Sequence, residues 1–141
     1  MIDRTAGARW EGNLKDGNGT VRLGSGAFEG KYAFGTRFES AAGTNPEELL
    51  GAAHAACFSM ALAAGLARAG HSVKSVDTSA VVHLAKVGDA FTITGIDLVT
   101  TGDVPGLAAA DFARAAEDTK KNCIVSRALA AVPMKVEARL A

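Results

Sequence analysis

The centre of the chain reads Thr44-Asn-Pro-Glu-Glu-Leu-Leu-Gly-Ala-Ala-His-Ala-Ala-Cys57-Phe-Ser-Met60. Asn45 can accept a hydrogen bond from a free amide at a helix start, Pro46 suits the first helical position, and two glutamates follow at the positive end of the helix dipole. These signals predict a helix that runs to Ala69 and stops at Gly70. Its apolar positions recur every three or four residues, which predicts a core-facing stripe: Leu49, Leu50, Ala53, Cys57, Met60, Ala61 and Ala64.

Extended segments are predicted on both sides of this helix. Residues 8–14 and 19–23 flank a turn-forming Asp-Gly-Asn-Gly and read as a hairpin, and residues 31–34 form a third extended piece. Residues 73–86 and 90–101 alternate apolar with polar side chains, as in a long hairpin with one solvated face. Helices over 107–121 and 123–131 and a strand over 134–140 complete the order β-β-β-α-β-β-α-α-β, an α+β fold with mostly antiparallel pairing.

Composition narrows the class of protein. A chain of 141 residues, 48% of them hydrophobic, can bury a core and is the size of one domain, expected to span residues 1–141. Its 15 basic and 15 acidic residues balance without a basic run, so nucleic acid is not expected as a partner. The N-terminus lacks the apolar segment of a secretory signal, which predicts a cytoplasmic protein. The uncharged stretch 49–67 is mostly Ala, Gly, Ser and His, which favours a core helix over a membrane span.

Two cysteines, Cys57 and Cys123, carry the candidate chemistry. Neither belongs to a short Cys or His spacing typical of metal sites, so no metal and no cofactor are expected. A structural disulfide, a redox pair and two inert thiols remain open, and a reducing compartment favours the redox pair. Burial in an apolar stripe disfavours a thiolate, so Cys57 needs a cation to become a nucleophile. Arg37 is the candidate, with Glu47 or Glu48 as its anionic partner.

Several motifs together match one known family. They are Trp10-Glu-Gly, Thr36-Arg-Phe-Glu39, Asn45-Pro-Glu-Glu-Leu, the eleven residues Ala-Ala-His-Ala-Ala-Cys57-Phe-Ser-Met-Ala-Leu, Val104-Pro-Gly and Cys123-Ile-Val-Ser126. With them the chain resembles the OsmC/Ohr family of thiol-dependent peroxidases over nearly its whole length, and it is most similar to the osmotically inducible OsmC branch.

The resemblance implies an intertwined α+β homodimer, with mostly antiparallel sheets around long central helices. The implied activity is reduction of organic, and less efficiently inorganic, hydroperoxides in defence against oxidative and osmotic stress. Cys57 matches the peroxidatic thiol, Cys123 the resolving thiol, and Arg37 with Glu47 the activating pair; the family's glutamate directly follows the proline of the Asn-Pro-Glu motif. The implied reductant is a dithiol, either a lipoylated protein or dihydrolipoamide.

Substrate binding is assigned to Arg37, Phe38, Phe58 and Met60. Lowering a thiol pKa from roughly 8.5 to about 6.5 raises the thiolate fraction only about 25-fold at neutral pH. Arg37 is therefore also expected to hold the peroxide and stabilise the departing oxygen, beside an apolar pocket formed by the other three residues. Ten helical residues separate Glu47 from Cys57 by roughly 15 Å if the helix is straight. We therefore expect residues of two subunits to meet at each site.

Two other functions compete with the peroxidase. His54 lies one helical turn before Cys57, so the two can be read as a Cys-His pair of a hydrolase or transferase. A redox sensor that oxidises the same cysteines once is the other alternative, weakened by the lack of a basic DNA-binding helix. The remaining histidines, His71 and His83, are predicted to be polar surface residues.

Overall fold

The computed structural model describes all residues 1–141, and the chain divides into two compact units, Met1–Leu49 and Leu50–Ala141. The single domain expected over residues 1–141 stays a prediction. The first unit contains one antiparallel sheet in the order β1-β2-β3 and a short helix, α1. These elements are β1 (Ala6–Glu11), β2 (Asn18–Leu23), β3 (Glu29–Tyr32) and α1 (Phe34–Phe38).

The predicted N-terminal hairpin is confirmed, with β1 and β2 paired in antiparallel register from Ala6↔Leu23 to Glu11↔Asn18. Across this sheet the Trp10 and Tyr32 rings pack with centroids 5.3 Å apart. A Cβ on Gly19 would lie 2.5 Å from the Tyr32 ring, so only glycine lets the ring cover β2 at this point. Trp10 and Tyr32 therefore pack between strands of the first sheet.

Helix α1 was not predicted from the sequence, where residues 36–39 follow an extended segment without a helix. The Ala33 N–H donates to Thr36 Oγ1 over 2.9 Å, and the Thr36 hydroxyl donates to the Ala33 carbonyl over 3.0 Å. Asn45 Nδ2 then donates to the Thr36 carbonyl over 3.0 Å. A turn of only five residues is marginal by itself, so these contacts outweigh the weak local preference of a sequence that includes Gly35.

The long central helix α2 spans Pro46–Arg68, beginning in the first unit and continuing into the second. Its start is as predicted, because Asn45 Oδ1 accepts a hydrogen bond from the Glu48 N–H over 2.8 Å. Gly70 follows its end with φ of 91°, the left-handed conformation expected of a helix stop. By length and composition alone α2 is long and apolar enough to cross a membrane, and 28% of its most apolar 18-residue window is buried.

The predicted buried stripe of α2 is wrong by about one residue. Ala53, Met60 and Ala64 are exposed, Met60 to 76%. The buried side chains are those of larger residues spaced by four, namely His54, Phe58, Leu62 and Leu66. The sequence shows two apolar stripes side by side, and the bulkier stripe faces the core because it removes more apolar surface from water. Met60 is therefore not the core residue that the sequence predicted.

The second unit contains a sheet in the order β4-β5-β6 and two further helices. Strands β4 and β5 form the predicted long antiparallel hairpin, whereas β5 and β6 are parallel. The α+β class with mostly antiparallel pairing is confirmed, with this one parallel pair. The elements are β4 (Ser75–Val87), β5 (Ala90–Asp103), α3 (Ala109–Asn122), α4 (Ile124–Ala128) and β6 (Met134–Leu140).

The hydrophobic core lies entirely in the second unit. It joins one face of α2 to the sheet and to α3, through Phe58, Leu62, Leu66, Ile96, Leu98, Val104, Leu107, Phe112, Ala116 and Cys123. Cys57 is partly buried and packs against this cluster. Both cysteines therefore lie at well-packed positions, where side chains keep a fixed geometry.

Candidate active site

In the first unit the guanidinium of Arg37 is held by the carboxylate of Glu47. Arg37 Nε donates to both carboxylate oxygens over 3.2 Å, and Nη2 donates to Oε1 over 2.7 Å. The Glu47 side chain is only 9% exposed and that of Arg37 is 39% exposed. A charged, bidentate contact of this kind fixes the plane of the guanidinium. It leaves Nη1 without a hydrogen-bond partner in the protein.

Local structure explains why Glu47, and not Glu48, is the partner. Arg37 lies in α1, whose last turn is tied by Asn45 to the start of α2, so Arg37 is brought beside the first turn of α2. Glu48 points elsewhere, since its Oε2 accepts a hydrogen bond from the Thr44 hydroxyl over 3.0 Å. Of the two glutamates left open by the residues alone, the structure places Glu47 on Arg37.

An apolar cleft of about 320 Å³ adjoins the guanidinium. Phe38 lines it, and the Arg37 guanidinium carbon lies 5.3 Å from the centre of the Phe38 ring. The Phe34 and Phe38 rings pack with centroids 5.0 Å apart. Phe38 was predicted to line a substrate pocket. The other cleft residues were not predicted; they are Trp10, Leu14, Tyr32, Ala33 and Phe34. Aromatic residues two to four apart around Arg37 were the available signal.

In the second unit the two cysteines are in contact. Cys57 Sγ, on α2, and Cys123 Sγ lie 3.0 Å apart, within hydrogen-bond distance, and both thiols are free. Cys57 is partly exposed, whereas Cys123 is 2% exposed. The separation is too long for an S–S bond of about 2.05 Å but short enough for one to form with a small movement.

Cys123 lies at the junction of α3 and α4. Its N–H donates to the Thr119 carbonyl over 2.8 Å, and its carbonyl accepts from the Arg127 N–H over 2.9 Å. The backbone is thus fixed from both helices, and the side chain faces the first turn of α4. The Val125 N–H lowers the pKa of both thiols. The Ile124 N–H lowers the pKa of Cys57, and the N–H and hydroxyl of Ser126 lower the pKa of Cys123.

The surrounding groups shift the pKa values of the two thiols in opposite directions. Burial raises the pKa of Cys57, and its contact with Cys123 raises it further, against the weaker effect of the α4 amides. Burial also opposes ionisation of Cys123, but the contact with Cys57 and the N–H and hydroxyl of Ser126 together lower the pKa of Cys123. None of these groups is a cation. Within the second unit, no positive charge therefore offsets the effect of burial on the pKa of Cys57.

The remaining predicted pocket residues are not brought together. Phe58 is 0% exposed and forms part of the core, while Met60, two positions further along α2, points to the surface. Residues two apart on a helix lie on different faces, so Phe58 and Met60 do not line one cavity. Phe38 belongs to the first unit, as do Arg37 and Glu47, and the cysteine pair belongs to the second.

The proposed Cys-His pair is not formed. Cys57 contacts Cys123, while His54 Nε2 lies 2.7 Å from Ser126 Oγ and Nδ1 has no hydrogen-bond partner. Burial lowers the pKa of His54, which disfavours the charged imidazolium. His83, as expected, is a surface residue and pairs with Asp97 over 2.8 Å. Ser126 was missed as a site residue, although its position three after Cys123 was visible in the sequence.

Comparison with known proteins gives a consistent result. The family model described as OsmC-like protein matches residues 39–137. The chain is 49% identical over 131 residues, 92% of either chain, to Peroxiredoxin OsmC of Escherichia coli. The organic hydroperoxide resistance protein OhrB of Bacillus subtilis has the same fold, with a TM-score of 0.74, 22% identity and coverage of 97% of this chain and 98% of that one. An OsmC-like protein of unknown function from Vibrio cholerae has a TM-score of 0.76 at 17% identity, over 98% and 99% of the two chains. On its fold, its paired thiols and these matches, the chain belongs to the OsmC family.

Proposed function

We propose that this thiol-dependent peroxidase reduces organic hydroperoxides through a sulfenic acid on Cys57, which Cys123 resolves as a disulfide. The observation that carries the proposal is the 3.0 Å contact between two free thiols, one partly exposed and the other buried. An incoming peroxide meets the exposed sulfur first. The buried sulfur is then already within reach of the oxidised product.

The steps balance in ordinary thiol chemistry. The Cys57 thiolate attacks the peroxide oxygen that bears hydrogen, the O–O bond breaks, and the alkoxide leaves as an alcohol after taking up a proton. Cys57 now carries a sulfenic acid. Attack by Cys123 forms the S–S bond and releases water, and an external dithiol reduces the disulfide by thiolate exchange.

In the proposed mechanism Arg37 supplies a positive charge, which the groups around Cys57 in the second unit do not. Burial raises the pKa of Cys57, so an approaching cation is needed to favour its anion. The guanidinium is always charged, is oriented by Glu47, and has an unused Nη1 group that can donate to a peroxide oxygen. In this role it stabilises both the attacking sulfur and the negative charge that develops on the departing oxygen.

The cleft beside Arg37 supports a preference for organic peroxides. Its rings offer apolar surface to an alkyl or aryl group, while the guanidinium offers hydrogen bonds at one edge. Hydrogen peroxide uses only the polar edge and gains nothing from the rings. We therefore expect bulky hydroperoxides to have lower KM values than hydrogen peroxide.

We further propose a homodimer in which each site combines residues of two subunits, each subunit acting as one domain over residues 1–141. A shared site is supported by α2, which is one continuous helix from Pro46 to Arg68. Ten helical residues separate Glu47 from Cys57, roughly 15 Å along a straight helix, so an Arg37 held by Glu47 is far from the Cys57 of its own helix. A mixture of Cys57→Ser and Arg37→Ala chains is expected to regain activity after subunit exchange. Activity equal to the sum of the two separate variants would contradict a shared site.

The proposed reductant is a lipoyl dithiol, free or protein-bound. A dithiol suits a buried intramolecular disulfide, because its second sulfur closes on the mixed disulfide and releases both protein thiols. A cytoplasmic location fits this cycle, since reducing compartments keep thiols available between turnovers.

Steady-state kinetics with cumene hydroperoxide and dihydrolipoamide test the proposal. Wild-type protein is expected to turn over many times, Cys57→Ser to lose activity by about a thousandfold or more, and Cys123→Ser to oxidise once and then stall. Activity of Cys57→Ser near the wild-type level would overturn the assignment. A single stoichiometric oxidation by wild type with excess dithiol would instead favour a sensor.

A further inference from the structure

A buried histidine and serine lie directly behind the resolving thiol. His54 is 0% exposed and Ser126 is 3% exposed, and their Nε2 and Oγ atoms are 2.7 Å apart. Ser126 lies in the first turn of α4, three residues after Cys123, and Cys123 in turn contacts Cys57. The buried imidazole, the Ser126 hydroxyl and the two sulfurs therefore lie within one part of the second unit, and the hydroxyl is among the groups that lower the pKa of Cys123.

The direction of the hydrogen bond between His54 and Ser126 depends on which nitrogen of the imidazole carries the proton. His54 Nδ1 has no hydrogen-bond partner in either tautomer, so the free-energy cost of leaving it unpaired does not decide between the two tautomers. If Nδ1 carries the proton, Nε2 accepts the Ser126 hydroxyl proton and none remains for the sulfur. If Nε2 carries it, the imidazole donates to Ser126, whose own proton is free for Cys123. Only the second tautomer leaves the Ser126 hydroxyl proton free to point toward the sulfur of Cys123.

We propose that His54 and Ser126 are positioning residues for the resolving step, with the Nε2–H of His54 orienting the Ser126 hydroxyl as a donor to the Cys123 sulfur. This inference rests on the proposed function, in which Cys123 attacks a sulfenic acid on Cys57. It gives a role to a buried polar pair that peroxide reduction itself does not use.

In the resolving step, Cys123 and the oxidised Cys57 form a disulfide and release water. Cys123 gives up its proton, the Ser126 hydroxyl stabilises the resulting thiolate, and the thiolate attacks the Cys57 sulfur. The S–S bond forms as the S–O bond of the sulfenic acid breaks. The hydroxide leaves as water with the proton that Cys123 gave up, so His54 and Ser126 exchange no net proton.

A purely structural role explains the pair less well. A fully buried imidazole with one unpaired nitrogen costs folding free energy that an apolar side chain of similar size avoids. The other hydroxyl contacts of the second unit, such as Thr78 with Thr100 over 3.0 Å and Ser59 with Thr78 over 2.8 Å, do not include a sulfur. The His54–Ser126 contact lies beside the first turn of α4, which begins after Cys123.

Quench-flow mass spectrometry that separates sulfenic acid from disulfide tests the inference on the full-length protein. After one equivalent of cumene hydroperoxide, Ser126→Ala is expected to form the disulfide about tenfold more slowly at neutral pH, because the Cys123 thiolate loses a hydroxyl donor. The sulfenic acid accumulates, because its formation is not slowed. Ser126→Thr keeps the hydroxyl and should resolve at close to the wild-type rate.

His54 is tested with a matched pair of variants. His54→Gln places an amide N–H near the position of Nε2 and should retain most of the resolving rate, whereas His54→Leu should lose it as Ser126→Ala does. Thr100→Val, which removes a buried hydroxyl contact away from the cysteines, controls for general destabilisation and should leave both steps unchanged.

The pH dependence of disulfide formation separates positioning from packing. Cys57 contacts Cys123, and His54 contacts the neighbouring Ser126. The cavity that Cys123 lines also contains the titratable side chains of His71, Asp111 and Asp118 and the charged side chains of Arg68 and Arg114. Loss of the Ser126 hydroxyl raises the pKa of Cys123, so the deficit should shrink as pH rises. A uniform deficit at all pH values, or wild-type resolution in Ser126→Ala, overturns the inference. Wild-type protein that forms no sulfenic acid refutes the proposed function instead, a separate result.

Discussion

In the proposed mechanism the two units of the molecule carry complementary halves of the peroxidase site. The first unit offers a positive charge, Arg37 oriented by Glu47, beside an aromatic cleft, and it contains no cysteine. The second offers two sulfurs in contact, set on a packed core, and the groups that set their pKa values include no cation. Neither half is sufficient alone, because activated thiols need both a sulfur and a group that favours its anion.

The two halves also differ in how they are built. The sulfur half is fixed by burial, with Phe58 and Cys123 in one hydrophobic cluster. The cation half is fixed by hydrogen bonds on a short helix, and none of its apolar side chains belongs to that cluster. Reactive groups that must not move are therefore held by packing in one unit and by directed polar contacts in the other.

The largest expected difference between the units is in stability. Phe58→Ala removes a fully buried ring and should lower the free energy of unfolding by about 3–5 kcal/mol. Phe38→Ala removes a partly exposed ring that packs on Phe34, and should cost about 1–2 kcal/mol. Urea unfolding of both variants measures the contrast. Equal losses would show that the first unit depends on packing as much as the second.

The next effect concerns the charge. Arg37→Ala should lower kcat/KM for cumene hydroperoxide by about a hundredfold or more, the loss typical of removing a group that stabilises developing negative charge. Arg37→Lys keeps the charge but loses the bidentate contact with Glu47, so its activity should fall between those of wild type and Arg37→Ala. If Lys restores nothing over Ala, orientation and not charge is the contribution of this residue.

The smallest effect separates two neighbouring glutamates. Glu47→Gln weakens the contact that orients Arg37, and kcat/KM should fall by about tenfold. Glu48→Gln makes the same chemical change one residue later, where the side chain contacts Thr44, and activity should stay near the wild-type level. Peroxidase assays of the two variants at one pH provide the comparison. Equal losses would mean that negative charge at the start of α2, and not the ion pair, is what matters.

Much of this arrangement could be predicted from the sequence. Capping signals at Asn45 and Gly70 gave the bounds of α2 within one residue, since caps act through local hydrogen bonds. Helix α1 could not be predicted, because a long-range bond from Asn45 stabilises it. The buried face of α2 was missed because two apolar stripes lie side by side, and residue spacing alone does not show that the bulkier one faces the core. The contact of Ser126 with His54, 72 residues apart, left no local signal.

The measurement that most directly tests the central claim is the pH dependence of Cys57 alkylation by iodoacetamide, with Cys123→Ser as the background. Burial raises the pKa of Cys57, so without a cation alkylation should become fast only above the pH typical of an ordinary thiol. With Arg37 present, we predict a midpoint below that of an ordinary thiol, which moves above it in Arg37→Ala. Identical midpoints with and without Arg37 would contradict the proposal that Arg37 activates Cys57.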